Sequence, residues 1–143
     1  MTQIQNSKQY DLEERTFQFA KSVAHFIKTL PKSISNAEYS SQVVRSSGSV
    51  GANYIEANES LSKKDFLMRI KICRKEAKET AYWLRLIMDT NDEGAAKEGS
   101  KPFQEAGELK KIFSAIHESH YSFGHWFLQF GIYLKFVICN LEF

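Results

Sequence analysis

Between Phe66 and Ile87, one spacing pattern dominates. Phe66, Ile70, Cys73, Ala77, Thr80/Ala81, Leu84 and Ile87 follow one another at gaps of four and three. That rhythm sets them along one side of an α-helix and makes a seam for packing against other helices. Ser62-Lys-Lys-Asp65, just before the seam, offers a helix start. A helix with such a seam requires partner helices, and the rest of the chain supplies them.

Asp11-Leu-Glu-Glu14 has the spacing of a capping box, with an oxygen for orphan N–H groups and an acid three residues on. Leu12, Phe19, Val23, Phe26/Ile27 and Leu30 then share one helical face. Pro31 ends that helix, and Lys28 and Lys32 suit its C-terminus. Ser35-Asn-Ala-Glu38 repeats the capping-box spacing and opens a second helix running to about Glu59. Its inward stripe is Tyr39, Val43, Ser46, Val50, Asn53 and Ala57. Residues 89–101, with Asn91, Asp92, Gly94, Gly99 and Ser100, read as a loop. Pro102 fits the first turn of a fourth helix, with Phe103, Ala106, Leu109, Ile112/Phe113 and Ile116 as its stripe. No segment alternates convincingly with period two. The expected fold is all-α: an antiparallel up-down-up-down four-helix bundle over residues 11–118. A disordered N-terminus (1–10) precedes it, and an aromatic, apolar extension of the fourth helix (119–143) follows.

Composition agrees with one soluble domain: 143 residues, 43% apolar and 25% charged. The two cysteines, Cys73 and Cys139, are too few for a disulfide framework or zinc cluster and read as reduced thiols in a cytoplasmic protein. The segment Met1–Gln9 is polar, with no apolar stretch behind it, so no secretory signal is expected. The tail is unusual. Tyr121–Leu134 carries no fixed charge, and Phe123, Phe127, Phe130, Leu134, Val137 and Leu141 keep heptad spacing. Trp126, Leu128, Ile132, Tyr133, Phe136 and Ile138 make its other faces apolar too. Such a helix must be covered. The preferred reading is burial in an oligomer; an exposed adhesive surface and an interfacial membrane segment are the alternatives. A membrane span is not expected, because 14 uncharged residues fall short of the roughly 18–20 that a bilayer needs.

Arg45-Ser-Ser-Gly-Ser-Val-Gly-Ala-Asn-Tyr-Ile-Glu56 is small and polar where a bundle helix is normally greasy. Gly48 and Gly51 each cost about 1 kcal/mol relative to alanine inside a helix, and close helix–helix approach is the simplest offset. Arg45, Ser49, Asn53 and Glu56 are assigned to a structural polar network, with Ser46 and with Arg69 or Arg74 of the third helix as further members. No histidine lies in this stretch to serve a nucleophile as base, so no catalytic residue is assigned. His117 and His120 stand three apart, but no glutamate stands three residues before any of the four histidines, so no metal is expected. Phosphate-cradling glycine motifs are absent as well, and no cofactor is expected.

Charge is uneven. Residues 63–88 hold eight bases and three acids, or +5, whereas residues 89–108 hold two bases and six acids, or −4. Lys64, Arg69, Lys71, Arg74, Lys75, Lys78 and Arg85 are the candidates for phosphate contacts. The competing reading is a solvated face with pairs such as Asp65–Arg69 and Lys75–Glu79.

Gln42-Val-Val-Arg45, Ser49-Val-Gly-Ala-Asn53-Tyr-Ile-Glu56-Ala, Lys64-Asp-Phe66 and Lys75-Glu-Ala-Lys-Glu79 resemble a family of bacterial four-helix-bundle proteins. These are encoded by open reading frames in 23S rRNA intervening sequences. The resemblance covers about residues 10–117. The usual family pattern is Asn-Ile-x-Glu-Gly, and Tyr54-Ile-Glu56-Ala57 departs from it at the glycine. The resemblance implies an antiparallel bundle, commonly a homopentamer, with no established enzymatic activity. A related branch, the accessory protein of diversity-generating retroelements, is a basic pentamer that binds nucleic acid and partners a reverse transcriptase. Members commonly end soon after the fourth helix. Residues 119–143 depart from that, either as a natural extension or as the product of a shifted reading frame. The expected function is therefore a non-enzymatic homo-oligomer, pentameric by this resemblance, that binds RNA, DNA or a nucleic-acid-processing partner through the third helix. The alternative is a protein–protein scaffold. An enzyme built on the serine, asparagine and glutamate of the second helix is the third reading.

Overall fold

The computed structural model describes residues 12–139, with side chains described as far as residue 120. It contains α1 (Leu12–Thr29), α2 (Ile34–Asn58), α3 (Lys63–Thr90) and α4 (Glu93–Cys139). Helices adjacent in sequence pack side by side, and α1 closes the ring against α4. The directions alternate. Asn36 at the start of α2 meets Asn91 at the end of α3, and Phe66 at the start of α3 meets His120 in α4. This is the all-α four-helix bundle that the spacing predicts.

The core is the expected set of stripes. Leu12, Phe19, Val23 and Phe26 of α1 are buried, as are Val43, Ser46, Val50 and Ala57 of α2. Ile70, Cys73, Ala77, Thr80, Leu84 and Ile87 of α3 join Ala106, Leu109 and Phe113 of α4. Tyr39, Asn53, Phe66, Phe103, Ile112 and Ile116 are half-buried. Across the core, the Tyr54 ring lies 5.8 Å from that of Phe113.

Helix starts follow the cap that offers the better oxygen. Ser62 caps α3, with its Oγ accepting from the Asp65 N–H at 3.1 Å. The cap of α2 is Ser33, not Ser35: its Oγ accepts from the Asn36 N–H at 3.1 Å, and the helix opens right behind Pro31. The expected loop over 89–101 is shorter than its composition suggests. Asp92 Oδ1 accepts from the Ala95 N–H at 2.9 Å, so α4 begins at Glu93 and Pro102 stands inside it. Ala95 and Gly99 are buried there. A Cβ on Gly99 would lie 2.7 Å from Met88 Cγ and 2.9 Å from Phe26 Cζ, so this turn closes on both α1 and α3. The tenability of the helix through a glycine and a proline rests on that packing.

The two glycines of α2 differ. Gly51 is a close approach, since a Cβ there would lie 3.1 Å from Thr16 Oγ1 of α1. At Gly48 nothing lies within 4 Å of an added Cβ, so close packing within the chain does not explain it. The expectations for residues 1–10, for Asp11, and for the side chains of 121–143 lie outside the described residues.

Candidate nucleic-acid interface

The polar stretch of α2 lies against α3. Arg45 reaches across to Glu79 and, at 3.3 Å, to Glu76, whose carboxylate is almost wholly buried. Trp83 Nε1 donates to the same Glu79 carboxylate at 3.3 Å. One turn inward, Thr80 Oγ1 lies 2.9 Å from Ser46 Oγ. Further along the seam, Arg69 pairs with Glu56 at 2.7 Å and donates to Asn53 Oδ1 at 3.2 Å. Asn53 donates back to the Ser49 carbonyl, and Ser49 to the Arg45 carbonyl, both at 2.9 Å. Arg45, Ser49, Asn53 and Glu56 thus all belong to cross-seam or local hydrogen bonding. Glu76, Glu79 and Thr80 are members that the sequence reading missed. Their signal was the Arg45 partner requirement, which only the register of α2 on α3 satisfies.

This seam divides the seven basic candidates. Arg69 faces α2 and is engaged there, rather than with Asp65 in its own helix. Glu79 likewise belongs to Arg45, not to Lys75. Arg74 is half-buried, and its charge acts on His117 of α4. Arg85 is exposed and lies 3.6 Å from Asp89. The remaining four, Lys64, Lys71, Lys75 and Lys78, are exposed and make no ion pair among the described residues.

Those lysines are in line. Lys64, Met68, Lys71, Lys75, Lys78, Tyr82 and Arg85 recur at gaps of four and three, and all are exposed. The outward face of α3 therefore repeats the period of its buried seam. From Lys64 to Lys78 the stripe is about 21 Å long at 1.5 Å per residue. Met68 is 48% exposed and Tyr82 59%, so apolar surface is set among the charges. Tyr82 leans edge-on against Trp83, with ring centroids 5.0 Å apart. Basic residues interleaved with an aromatic form the pattern of a surface that meets phosphates and bases together. The second heptad register was readable in the sequence once the buried one was fixed.

At its N-terminal end the stripe borders an open groove of about 780 Å³. Lys63, Lys64, Leu67, Met68 and Lys71 of α3 line it with His117 of α4. Burial, with the charges of Lys71 and Arg74, holds the His117 imidazole below its ordinary value of 6.5, and Glu118 opposes them. Neither Asn53 nor Glu56 lines this groove. Cys73 is fully buried among apolar side chains, which pushes its thiol up to about 12. Among the described residues no group of three or more His, Cys, Asp or Glu is placed to hold a metal ion. No helix described is long and apolar enough to cross a membrane.

A family model described as 23S rRNA-intervening sequence protein matches residues 8–115 of the chain. Among solved structures, a protein of unknown function from the S23 ribosomal protein family of Bacteroides thetaiotaomicron is 27% identical. The alignment covers 73% of this chain and 96% of that one, with a TM-score of 0.63. No curated protein matches this chain.

Proposed function

Because the chain belongs to the 23S rRNA-intervening sequence protein family, we propose that it is a non-enzymatic, self-associating bundle that binds nucleic acid through the outward face of α3. The observation that carries this reading is the stripe of exposed lysines at Lys64, Lys71, Lys75 and Lys78, none of which is engaged by a described acid. Within 21 Å or so of helix, four uncompensated cations make a linear footprint for a phosphate backbone. A cytoplasmic location and an association with a nucleic-acid enzyme such as a reverse transcriptase are part of the same reading. The non-enzymatic assignment is supported by the polar residues of α2, which are spent on α3 and on local backbone.

Self-association is supported by α2. Its outward positions Ile34, Ala37, Ser41, Val44, Gly48, Ala52 and Ile55 are all exposed and carry no charge. Phe17 of α1, 59% exposed, follows Thr16, which packs on Gly51. Ile34, Val44 and Ile55 along it are large exposed apolar side chains that a second copy would cover. A second copy approaching closely would also give Gly48 the role that it lacks within one chain. A pentamer is the form that the sequence resemblance implies. The same strip favours the protein–protein scaffold as the second reading.

Light scattering on a sizing column, with absorbance read for protein and nucleic acid in low and high salt, tests both. A multimeric particle that carries nucleic acid in low salt and sheds it in high salt is expected. A multimer with no salt-dependent polynucleotide binding would leave the scaffold and end the α3 assignment.

A further inference from the structure

The groove at the start of α3 has a composition that a duplex would not use. Among the described residues its walls are cationic, with Lys63, Lys64 and Lys71 against one acid, Asp65. Its floor is apolar, formed by Leu67 and the half-exposed Met68, and His117 closes the α4 side. Its volume, about 780 Å³, lies within the roughly 300–1,000 Å³ of clefts that hold small organic groups. A double helix presents phosphates outward and keeps its base faces stacked inside. Lysines alone would suffice for it, and the apolar floor would stay empty. A single strand presents phosphates and exposed base faces together.

We propose that this groove is a site for single-stranded nucleic acid, in which a base lies on Leu67 and Met68 while flanking phosphates meet Lys64 and Lys71. The strand then continues along the helix toward Lys75, Lys78 and Tyr82. Charge complementarity selects this occupant: the rim is positive, and the surrounding stripe extends that charge in one direction along α3. Burial first, and then the charges of Lys71 and Arg74, disfavour protonation of His117 at the edge of the groove. The inference rests on the nucleic-acid reading of α3 and specifies which form is bound.

The test compares fluorescence anisotropy for an oligothymidine, an abasic strand of the same length and a blunt duplex. Wild-type protein and the Met68→Ser and Lys75→Gln/Lys78→Gln variants are used, with folding checked by circular dichroism. Wild type is expected to bind oligothymidine at least about fivefold more tightly than the abasic strand, the scale of one base stacked on a side chain. Met68→Ser should remove most of that preference and leave abasic binding unchanged. Lysine neutralisation should weaken all three ligands. Equal affinity for thymidine and abasic strands, with lysine neutralisation still weakening both, would overturn the groove assignment and leave the polyanion reading standing. Binding to none of the three would overturn both. Tighter binding to vesicles of anionic lipid than to any strand would also overturn the inference.

Discussion

Neutralising half of the lysine stripe should halve the salt sensitivity of binding. The perturbation is Lys75→Gln together with Lys78→Gln, two exposed side chains with no described acidic partner. Each lysine that meets a phosphate releases condensed counterions, so log K falls against log salt with a slope of about −0.7 per contact for a single strand. With Lys64, Lys71, Lys75 and Lys78 all engaged, the slope is about −2.8 per protomer. Raising salt from about 50 to about 200 mM then costs about fiftyfold in affinity. The double variant, at a slope of about −1.4, loses only about sevenfold over the same range. Anisotropy titrations at several salt concentrations measure both slopes. Lys21→Gln/Lys28→Gln on α1 removes the same charge from exposed positions off the stripe and should leave the slope unchanged. The reasoning is refuted if the α1 and α3 variants flatten the slope equally, since net charge rather than the stripe would then govern binding. An unaltered slope in the α3 variant refutes it as well.

Other outcomes follow from single positions. Gly48→Ala should stabilise the isolated chain by about 0.5–1 kcal/mol in urea denaturation, because nothing lies within 4 Å of the added methyl. Gly99→Ala should destabilise it by about 1–3 kcal/mol, since its methyl would press on Met88 and Phe26. In a Cys139→Ser background, Cys73, with its thiol at about 12, should resist thiol reagents at neutral pH until the chain is unfolded. The His117 imidazole is harder to protonate in the folded chain than in the unfolded one. Stability is therefore undiminished well above pH 6.5 and falls as pH drops below that value. His117→Gln should flatten this acid limb in thermal melts, and a limb unchanged by the substitution would assign it elsewhere.

The bundle was legible because burial on a helix repeats with the sequence, and the stripes of Phe19–Val23–Phe26 and Ile70–Cys73–Ala77 depend on little else. Helix starts were less legible. Ser33 and Ser35 offer the same hydroxyl, and position behind Pro31 decides between them. The segment 89–101 misled for a tertiary reason: Gly99 looks like a breaker, yet it is the only residue small enough to let Met88 and Phe26 close on α4. Of the eight basic residues on α3, sequence offered seven as phosphate contacts but could not divide them. The division needed the register of α2 on α3, which takes Arg69 to Glu56 and leaves Lys75 free of Glu79. Met68 and Tyr82 went unread as parts of the face because single exposed apolar residues are ordinary until their neighbours are known.

Pro102 inside α4 has a consequence for how the bundle breathes. Proline has no N–H, so the backbone bond from position 102 to the carbonyl of Glu98 cannot form, and the ladder is interrupted there. The turns from Glu93 to Lys101 are therefore joined to the rest of α4 with one ladder bond missing, and the Asp92 cap and the burial of Ala95 and Gly99 help to hold them. Such a unit should open on its own. Its amides should exchange with solvent deuterium earlier than those around Leu109 and Phe113, leaving a shortened helix that starts at Pro102, while α1, α2 and α3 keep their protection.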